Sequence, residues 1–292
     1  MKLIDGKKIA EAIKKEIAVK NAAIIDAGGE PPHLAAILVG EDAASQTYVA
    51  SKERSCKTVG MTSSIYRYPA NISEQALLDA VDFLNNDDDI NGFIVQLPLP
   101  EHIDADKVLQ RIDPAKDVDG FHPVNMGRLA LGLPSYLPAT PAGIMLLLEK
   151  SGIETEGKHC VIIGRSNIVG TPMSLLMSRK ARPGNSTVTL CHSKTQNLPE
   201  ITRQADILIA AIGQVGFVKA DMVKEGAVVI DVGIHRIEDS SEKGYHIAGD
   251  VDFDAVAPKC SYITPVPGGV GPMTIVSLLL NTIKSYNKEI YS

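Results

Sequence analysis

Apolar positions change their period repeatedly along the chain, and each change marks an element. Between residues 7 and 26, Ile9, Ala10, Ile13, Ile17 and Ile24 recur at helical spacing, and Gly28-Gly29 supplies a stop. Residues 34–39 form an unbroken apolar run ending at Gly40, the pattern of a buried strand. A second helix, capped by Asp42, runs to about Val59. It is followed by a strand near residues 64–68, a helix over 73–84 and a strand over 92–96 closed by Leu97-Pro98-Leu99-Pro100. Strand and helix alternating in this way predict a largely parallel sheet.

Between Asp113 and Pro141 the alternation lapses into a stretch bearing Pro134, Pro138 and Pro141, which predicts a first domain boundary; a helix over 141–150 follows. A new series starts at Lys158. Strands over 160–164, 187–191, 206–210 and 227–231 are interleaved with helices over 170–179 and 198–204, the order of a Rossmann-type domain. Residues 264–272 are dense in Gly and Pro, and the apolar helix over 273–283 that follows could close either domain. No internal repeat is visible, and Asp87-Asp88-Asp89 reads as a solvated turn.

Length agrees with two domains, since 292 residues exceed one ordinary core at about 150 residues per domain. Apolar residues at 45% and charged residues at 22% are a globular balance. The net charge of −6 argues against nucleic acid as a partner, because a polyanion calls for a basic surface. The opening residues lack a secretory signal, and no segment approaches the roughly 20 apolar residues of a membrane span. A cytoplasmic protein with no membrane association is therefore expected. Cys56, Cys160, Cys191 and Cys260 are scattered without a CxxC pair or a Cys/His cluster, so neither a disulfide framework nor a metal site is expected.

Two segments carry candidate chemistry. The strand Cys160-Val161-Ile162-Ile163 runs into Gly164-Arg165-Ser166-Asn167-Ile168-Val169-Gly170 and then a helix. Such a turn lets main-chain N–H groups and a helix N-terminus face a pyrophosphate. Ser166 occupies the place of the second glycine in GxGxxG, and taken alone the turn fits any α/β protein equally well. The end of the next strand, Cys191-His192-Ser193-Lys194-Thr195, has no acid for the ribose hydroxyls of NAD. With Arg165 beside the turn it suits the 2′-phosphate of NADP, although Arg165 and His192 are each also ordinary surface residues.

On the second helix Ser45, Tyr48, Lys52 and Cys56 stand three or four residues apart and share a face, with Val49 and Val59 flanking it and Glu53 and Lys57 off it. Lys52 then either packs its stem and sends its ammonium to water, or lines a cleft beside Tyr48 where desolvation lowers its pKa and lets it move protons. Gln96 ends a strand, at the edge where α/β sheets bind ligands, and is placed to orient substrate or hold a lysine; a plain turn amide fits as well. Lys116-Asp117-Val118-Asp119-Gly120 offers two carboxylates for the paired N–H donors of a heterocycle, or two turn formers.

Together, Tyr48-Val49-Ala50-Ser51-Lys52, Val95-Gln96-Leu97-Pro98-Leu99-Pro100, Lys116-Asp117-Val118-Asp119-Gly120, Gly164-Arg165-Ser166-Asn167-Ile168-Val169-Gly170-Thr171-Pro172 and Pro265-Val266-Pro267-Gly268-Gly269-Val270-Gly271-Pro272-Met273-Thr274 resemble the bifunctional methylenetetrahydrofolate dehydrogenase/methenyltetrahydrofolate cyclohydrolase family. The resemblance implies an α/β fold of two domains. Residues 1–140 form a folate-binding catalytic domain completed by a returning C-terminal helix, 272–292. Residues 141–271 form a Rossmann-type, doubly wound NADP-binding domain that includes a substrate loop, 264–271. It further implies a cleft between the domains and a homodimer acting on tetrahydrofolate one-carbon derivatives, in metabolism that feeds purine biosynthesis.

By matching positions, Lys52 is the catalytic lysine, Tyr48 stacks near the pterin and aminobenzoate, and Gln96 tunes Lys52. Asp117 or Asp119 binds the pterin edge, with Asp117 the first choice. Val95, Leu97 and the loop residues Pro267, Gly268, Gly269, Val270 and Gly271 complete the substrate wall. Gly164, Arg165, Ser166, Ile168, His192, Ser193, Gly213, Ile234 and Thr274 would contact NADP. His235 departs from the family, where Asn is expected after Gly233-Ile234. An unrelated Rossmann oxidoreductase would account for Gly164–Gly170 but not for Tyr48, Lys52 and Gln96 together. A silent folate- or dinucleotide-binding regulator would retain both pockets without turnover.

Overall fold

A computed structural model describes residues 1–240 and 244–291. In chain order the elements are β1 (Lys2–Leu3), α1 (Gly6–Asp26), β2 (His33–Val39), α2 (Ala43–Thr58), β3 (Thr62–Tyr68), α3 (Glu74–Asn85), β4 (Gly92–Val95), α4 (Ala105–Arg111), α5 (Pro123–Ala130), α6 (Ala139–Lys150) and β5 (His159–Ile163). They continue with α7 (Gly170–Ser178), β6 (Thr187–Cys191), α8 (Leu198–Thr202), β7 (Ile207–Ala210), β8 (Val228–Asp231), β9 (His235–Glu238), β10 (Tyr245–Ala248), α9 (Phe253–Val256), β11 (Tyr262–Ile263) and α10 (Val270–Tyr286). Two compact units result, one from Ala12–Ala139 with Ile275–Ser292, the other from Met1–Glu11 with Thr140–Thr274.

In the first of these units the sheet order is β3-β2-β4, all parallel, with β2 in the middle. A central parallel strand is covered on both faces, which is why its residues read as an apolar run and not as an alternation. Leu77, Val81 and Leu84 of α3 pack with Ile37, Phe93 and Val95 into one core cluster. Asp42 and Ser73 cap α2 and α3, each accepting from a main-chain N–H three residues on. The lapse between Asp113 and Pro141 contains α5, whose eight residues are too few for a period to show; its start is set by Pro123 and by His122 Nδ1, which accepts from Val124 N at 3.1 Å. From α10, Asn281 Nδ2 donates to Val118 O at 2.8 Å and to Leu137 O at 2.9 Å, so the end of the chain is fastened to this unit.

The other unit is built on a six-stranded sheet in the order β1-β11-β8-β7-β5-β6, with every pairing parallel. From β5 the chain steps outward to β6 and then crosses back to β7 on the other side. The connections leaving β5 and β7 thus diverge, and the crevice at their C-terminal ends is where doubly wound sheets bind ligands. Residues 1–140 were expected to form one domain, but Met1–Glu11 belongs here. Lys2–Leu3 pairs with Tyr262–Ile263, and Ile4 N donates to Ile263 O at 2.8 Å. A strand of two residues carries no periodicity to read. The antiparallel pair β9 and β10 and the short β11 also lie outside the sequence pattern. Among the described residues no helix is long and apolar enough to cross a membrane.

Candidate active site

The cap at Asp42 fixes the rotation of α2 and hence what its faces meet. Ser45, Val49 and Cys56 are buried, Glu53 and Lys57 are exposed, Lys52 is partly buried, and Tyr48 lies at the rim with 39% of its surface exposed. Gln96 follows β4 directly. Its N–H donates to Ile37 O at 2.9 Å, extending the sheet ladder by one rung and aiming the side chain along the C-terminal edge. Its Nε2 donates to Leu97 O at 2.8 Å, so Oε1 is the atom left for a neighbour, and Lys52 Nζ donates to it at 3.1 Å.

Burial holds the Lys52 ammonium below the ordinary lysine range, and the nearby carboxylate of Asp119 pulls the other way. Burial likewise pushes the Asp119 carboxyl up, with Lys52 opposing. The two groups therefore act on each other. The Tyr48 hydroxyl is raised by burial and then by Asp42, so it stays a neutral phenol. Cys56 is pushed by burial up to about 12, which leaves no thiolate for covalent chemistry. A lysine so placed, bonded to an amide oxygen and with its pKa lowered by burial, gives up its proton more readily than an exposed one, as a proton carrier must.

The two aspartates of the Lys116–Gly120 segment differ. Asp117 is buried and its carboxylate is fully engaged: Oδ1 accepts from Gly120 N at 3.1 Å and Phe121 N at 3.2 Å, while Oδ2 accepts from His122 N at 2.8 Å and Asn125 Nδ2 at 2.9 Å. Burial pushes its carboxyl to about 7 against the pull of the Asn125 and His122 bonds. It organises the turn. Asp119 is the carboxylate whose charge bears on Lys52. Gly120, at φ +76°, permits the turn that follows Asp119, and a Cβ there would lie 2.7 Å from the Leu137 carbonyl carbon.

In the other unit Gly164 ends β5 at φ +116°, where a Cβ would overlap Ala211 O; only glycine allows the turn and the β7 loop to meet so closely. Arg165, Ser166, Asn167 and Ile168 are exposed. Ser166 pins the turn from within, its Oγ accepting from Val169 N at 3.2 Å and its carbonyl from Thr171 N at 3.0 Å. Helix α7 has no side-chain cap at Val169; Thr171 N is taken by Ser166 O and Pro172 has no N–H, so the Gly170 N–H and the positive end of the helix are what this turn offers a pyrophosphate. Gly164 N donates to Cys191 O at 2.9 Å, which sets the turn beside His192 and Ser193. Those positions carry no acid and, with Arg165, suit a 2′-phosphate. Gly213 is exposed at φ +74°, Ile234 is exposed, and Thr274 Oγ1 shares a hydrogen bond of 3.1 Å with Thr140 Oγ1. Pro267–Gly271 belongs to this unit too, held by Lys7 N donating to Gly268 O at 2.9 Å.

Two buried carboxylates at the crevice edge were missed in the sequence. Asp231 accepts from Gly233, Asp250 and Val251 N–H groups, each at 2.9 Å. Asp250 accepts from Ile212 N at 2.8 Å, Gly213 N at 3.0 Å and His235 Nε2 at 2.7 Å. They tie the loops after β7 and β8 together. The only signal was an acid closing the apolar run Val228–Asp231. The unexpected His235 is thus a donor to Asp250. Among the described residues no group of His, Cys, Asp or Glu is arranged to hold a metal.

An enzyme of the two-unit α/β class, with a crevice on a doubly wound sheet in one unit and, in the other, a partly buried lysine on the helix α2 beside a three-stranded sheet, is what these features define. Residues 4–119 match the tetrahydrofolate dehydrogenase/cyclohydrolase catalytic domain, and residues 138–290 match the NAD(P)-binding domain of the same family. The chain belongs to the tetrahydrofolate dehydrogenase/cyclohydrolase family. It is 60% identical over 292 residues to the bifunctional protein FolD of Phocaeicola vulgatus and equally to that of Bacteroides thetaiotaomicron, covering 100% of both chains in each case. Among solved structures it is similar to the bifunctional methylenetetrahydrofolate dehydrogenase/cyclohydrolase FolD of Campylobacter jejuni (TM-score 0.92, 50% identity, 99% of both chains). It is also similar to the Trypanosoma brucei enzyme complexed with NADP cofactor and inhibitor (TM-score 0.93, 38% identity, 99% of this chain and 98% of that one).

Proposed function

We propose that the chain oxidises methylenetetrahydrofolate to methenyltetrahydrofolate with NADP and then hydrolyses the methenyl group to formyltetrahydrofolate. The observation that carries this reading is the partly buried amine of Lys52, hydrogen-bonded to Gln96 and opposite Asp119, in a chain of this family.

NADP, when bound, supplies the hydride acceptor. A lone pair on the folate nitrogen drives hydride departure, so the chain's part in that step is alignment. Tyr48 offers a ring face at the rim, and Val95 and Leu97 line the strand end beside Gln96. Asp119 accepts from the N–H donors of the pterin edge, and the Pro267–Gly271 loop completes the substrate wall. The α7 N-terminus and the Gly164–Ser166 turn receive the pyrophosphate, with Arg165, His192 and Ser193 toward the 2′-phosphate. Hydrolysis is the step that needs a proton carrier. As water oxygen bonds to the methenyl carbon, the free amine of Lys52 takes a water proton and returns it to the ring nitrogen when the C–N bond breaks. The second water proton leaves to solvent, so each turnover releases one proton.

The direct test is an assay with methylenetetrahydrofolate and either dinucleotide, following methenyl and formyl products separately; formation of neither defeats the proposal. Arg165→Ala is expected to weaken NADP binding roughly 10- to 100-fold, the worth of a charge-assisted contact, and NAD binding by less than about threefold. Titration of both dinucleotides checks this, and equal losses would mean that Arg165 does not read the 2′-phosphate. The same reading includes a cytoplasmic homodimer, which sedimentation equilibrium tests.

A further inference from the structure

We propose that Tyr291, in the segment following α10, is a positioning residue for the folate site, acting through Asn125 and Asp117 on the turn that carries Asp119. The inference rests on the reading that Asp119 faces the folate.

Every link of the path is a hydrogen bond inside one unit. The Tyr291 hydroxyl donates to Asn125 Oδ1 at 2.7 Å. Asn125 is fully buried, and its Nδ2 donates to Asp117 Oδ2 at 2.9 Å and to Pro114 O at 3.0 Å. Asp117 in turn collects the N–H groups of Gly120, Phe121 and His122, the three residues that follow Asp119. Asn125 must therefore keep its NH2 toward Asp117 and its carbonyl toward Tyr291. Were the amide to rotate, its oxygen would face a carboxylate oxygen.

The ring of Tyr291 is held in place independently of its hydroxyl. It packs on buried Tyr136 with centroids 5.8 Å apart, and the Arg128 guanidinium lies 5.0 Å from its centroid. The C-terminal segment also grips the same stretch directly. Ser285 Oγ donates to Ala115 O at 3.1 Å, and Asn281 Nδ2 holds Val118 O, the carbonyl just before Asp119. Helix α10 thus fixes the near side of the turn, and Tyr291 fixes the far side by way of Asn125. Removing the hydroxyl leaves a buried carbonyl without its donor, and the site relaxes by letting the Asn125–Asp117 contact go.

Tyr291→Phe keeps the ring and removes only the bond. Cyclohydrolase kinetics with methenyltetrahydrofolate, NADP titration, and amide hydrogen exchange at Gly120–His122 read the effect. We expect KM to rise about 3- to 10-fold, the factor carried by one net hydrogen bond in a buried network. We also expect kcat to change less than about twofold, faster exchange at the three amides and unchanged NADP affinity. A purely structural role would lower the melting temperature and leave KM alone, and would overturn the proposal. So would additive effects of Tyr291→Phe and Asn125→Leu in the double variant, since residues on one path must couple. Asp119→Asn serves as the control. If it leaves KM unchanged, the reading of the folate site itself falls; if it raises KM while Tyr291→Phe does not, only the present inference falls.

Discussion

Lys52→Met is expected to lower the cyclohydrolase rate roughly 10²- to 10⁴-fold, the usual contribution of a positioned acid–base group, while hydride transfer falls far less. Methionine is unbranched and of similar length, so it fills the path of the lysine stem without the amine. What disappears is the donor to Gln96 Oε1 and the positive charge that bears on Asp119. Hydride departure needs no proton carrier, whereas attack of water on the methenyl carbon does. The two activities, measured on one preparation, therefore separate the roles. Equal losses in both, with NADP affinity and fold intact, would make Lys52 a positioning group only.

The same substitution carries a pH signature. Burial lowers the Lys52 pKa, so its free amine persists to a lower pH than that of an ordinary lysine. Cyclohydrolase activity should rise with pH as the amine loses its proton, on a limb displaced to the acid side of lysine's usual range. In Lys52→Met that limb should vanish. Asp119 opposes the lowering, so the limb should move further to the acid side in Asp119→Asn.

Much of this was legible in the sequence because it rests on local rules. Apolar runs marked β2, β4 and β5 since parallel strands are covered on both faces. Helical spacing placed Lys52 on the inward side of α2, and the strand-end rule placed Gln96 at the ligand edge; their 3.1 Å bond joins residues 44 positions apart. What was not legible depends on partners far along the chain. Lys2–Leu3 is a strand only because Tyr262–Ile263 lies beside it. Asp250 looks like any loop acid until Ile212, Gly213 and His235 converge on it. Asp117 and Asp119 were indistinguishable in a motif, since their difference lies in Asn125, which is itself oriented by Tyr291.

That difference predicts opposite outcomes for one chemical change at two neighbouring positions. Asp117→Asn is expected to cost about 1–3 kcal/mol of stability, because an NH2 group would then face N–H donors where both carboxylate oxygens now accept. Where the variant is folded, Lys52 and Gln96 keep their places, so kcat should stay within a few fold while KM for the folate rises about as much as in Tyr291→Phe, because the turn that carries Asp119 is loosened. Asp119→Asn has no such cage to disturb, and urea unfolding should be almost unchanged. It removes the charge that meets the pterin N–H donors and balances Lys52, so kcat/KM for the folate should fall roughly 10²-fold. Denaturation midpoints and folate kinetics on the two variants decide the matter. A stable Asp117→Asn with failed folate binding, beside a destabilised but active Asp119→Asn, would exchange the two assignments and return the pterin to Asp117.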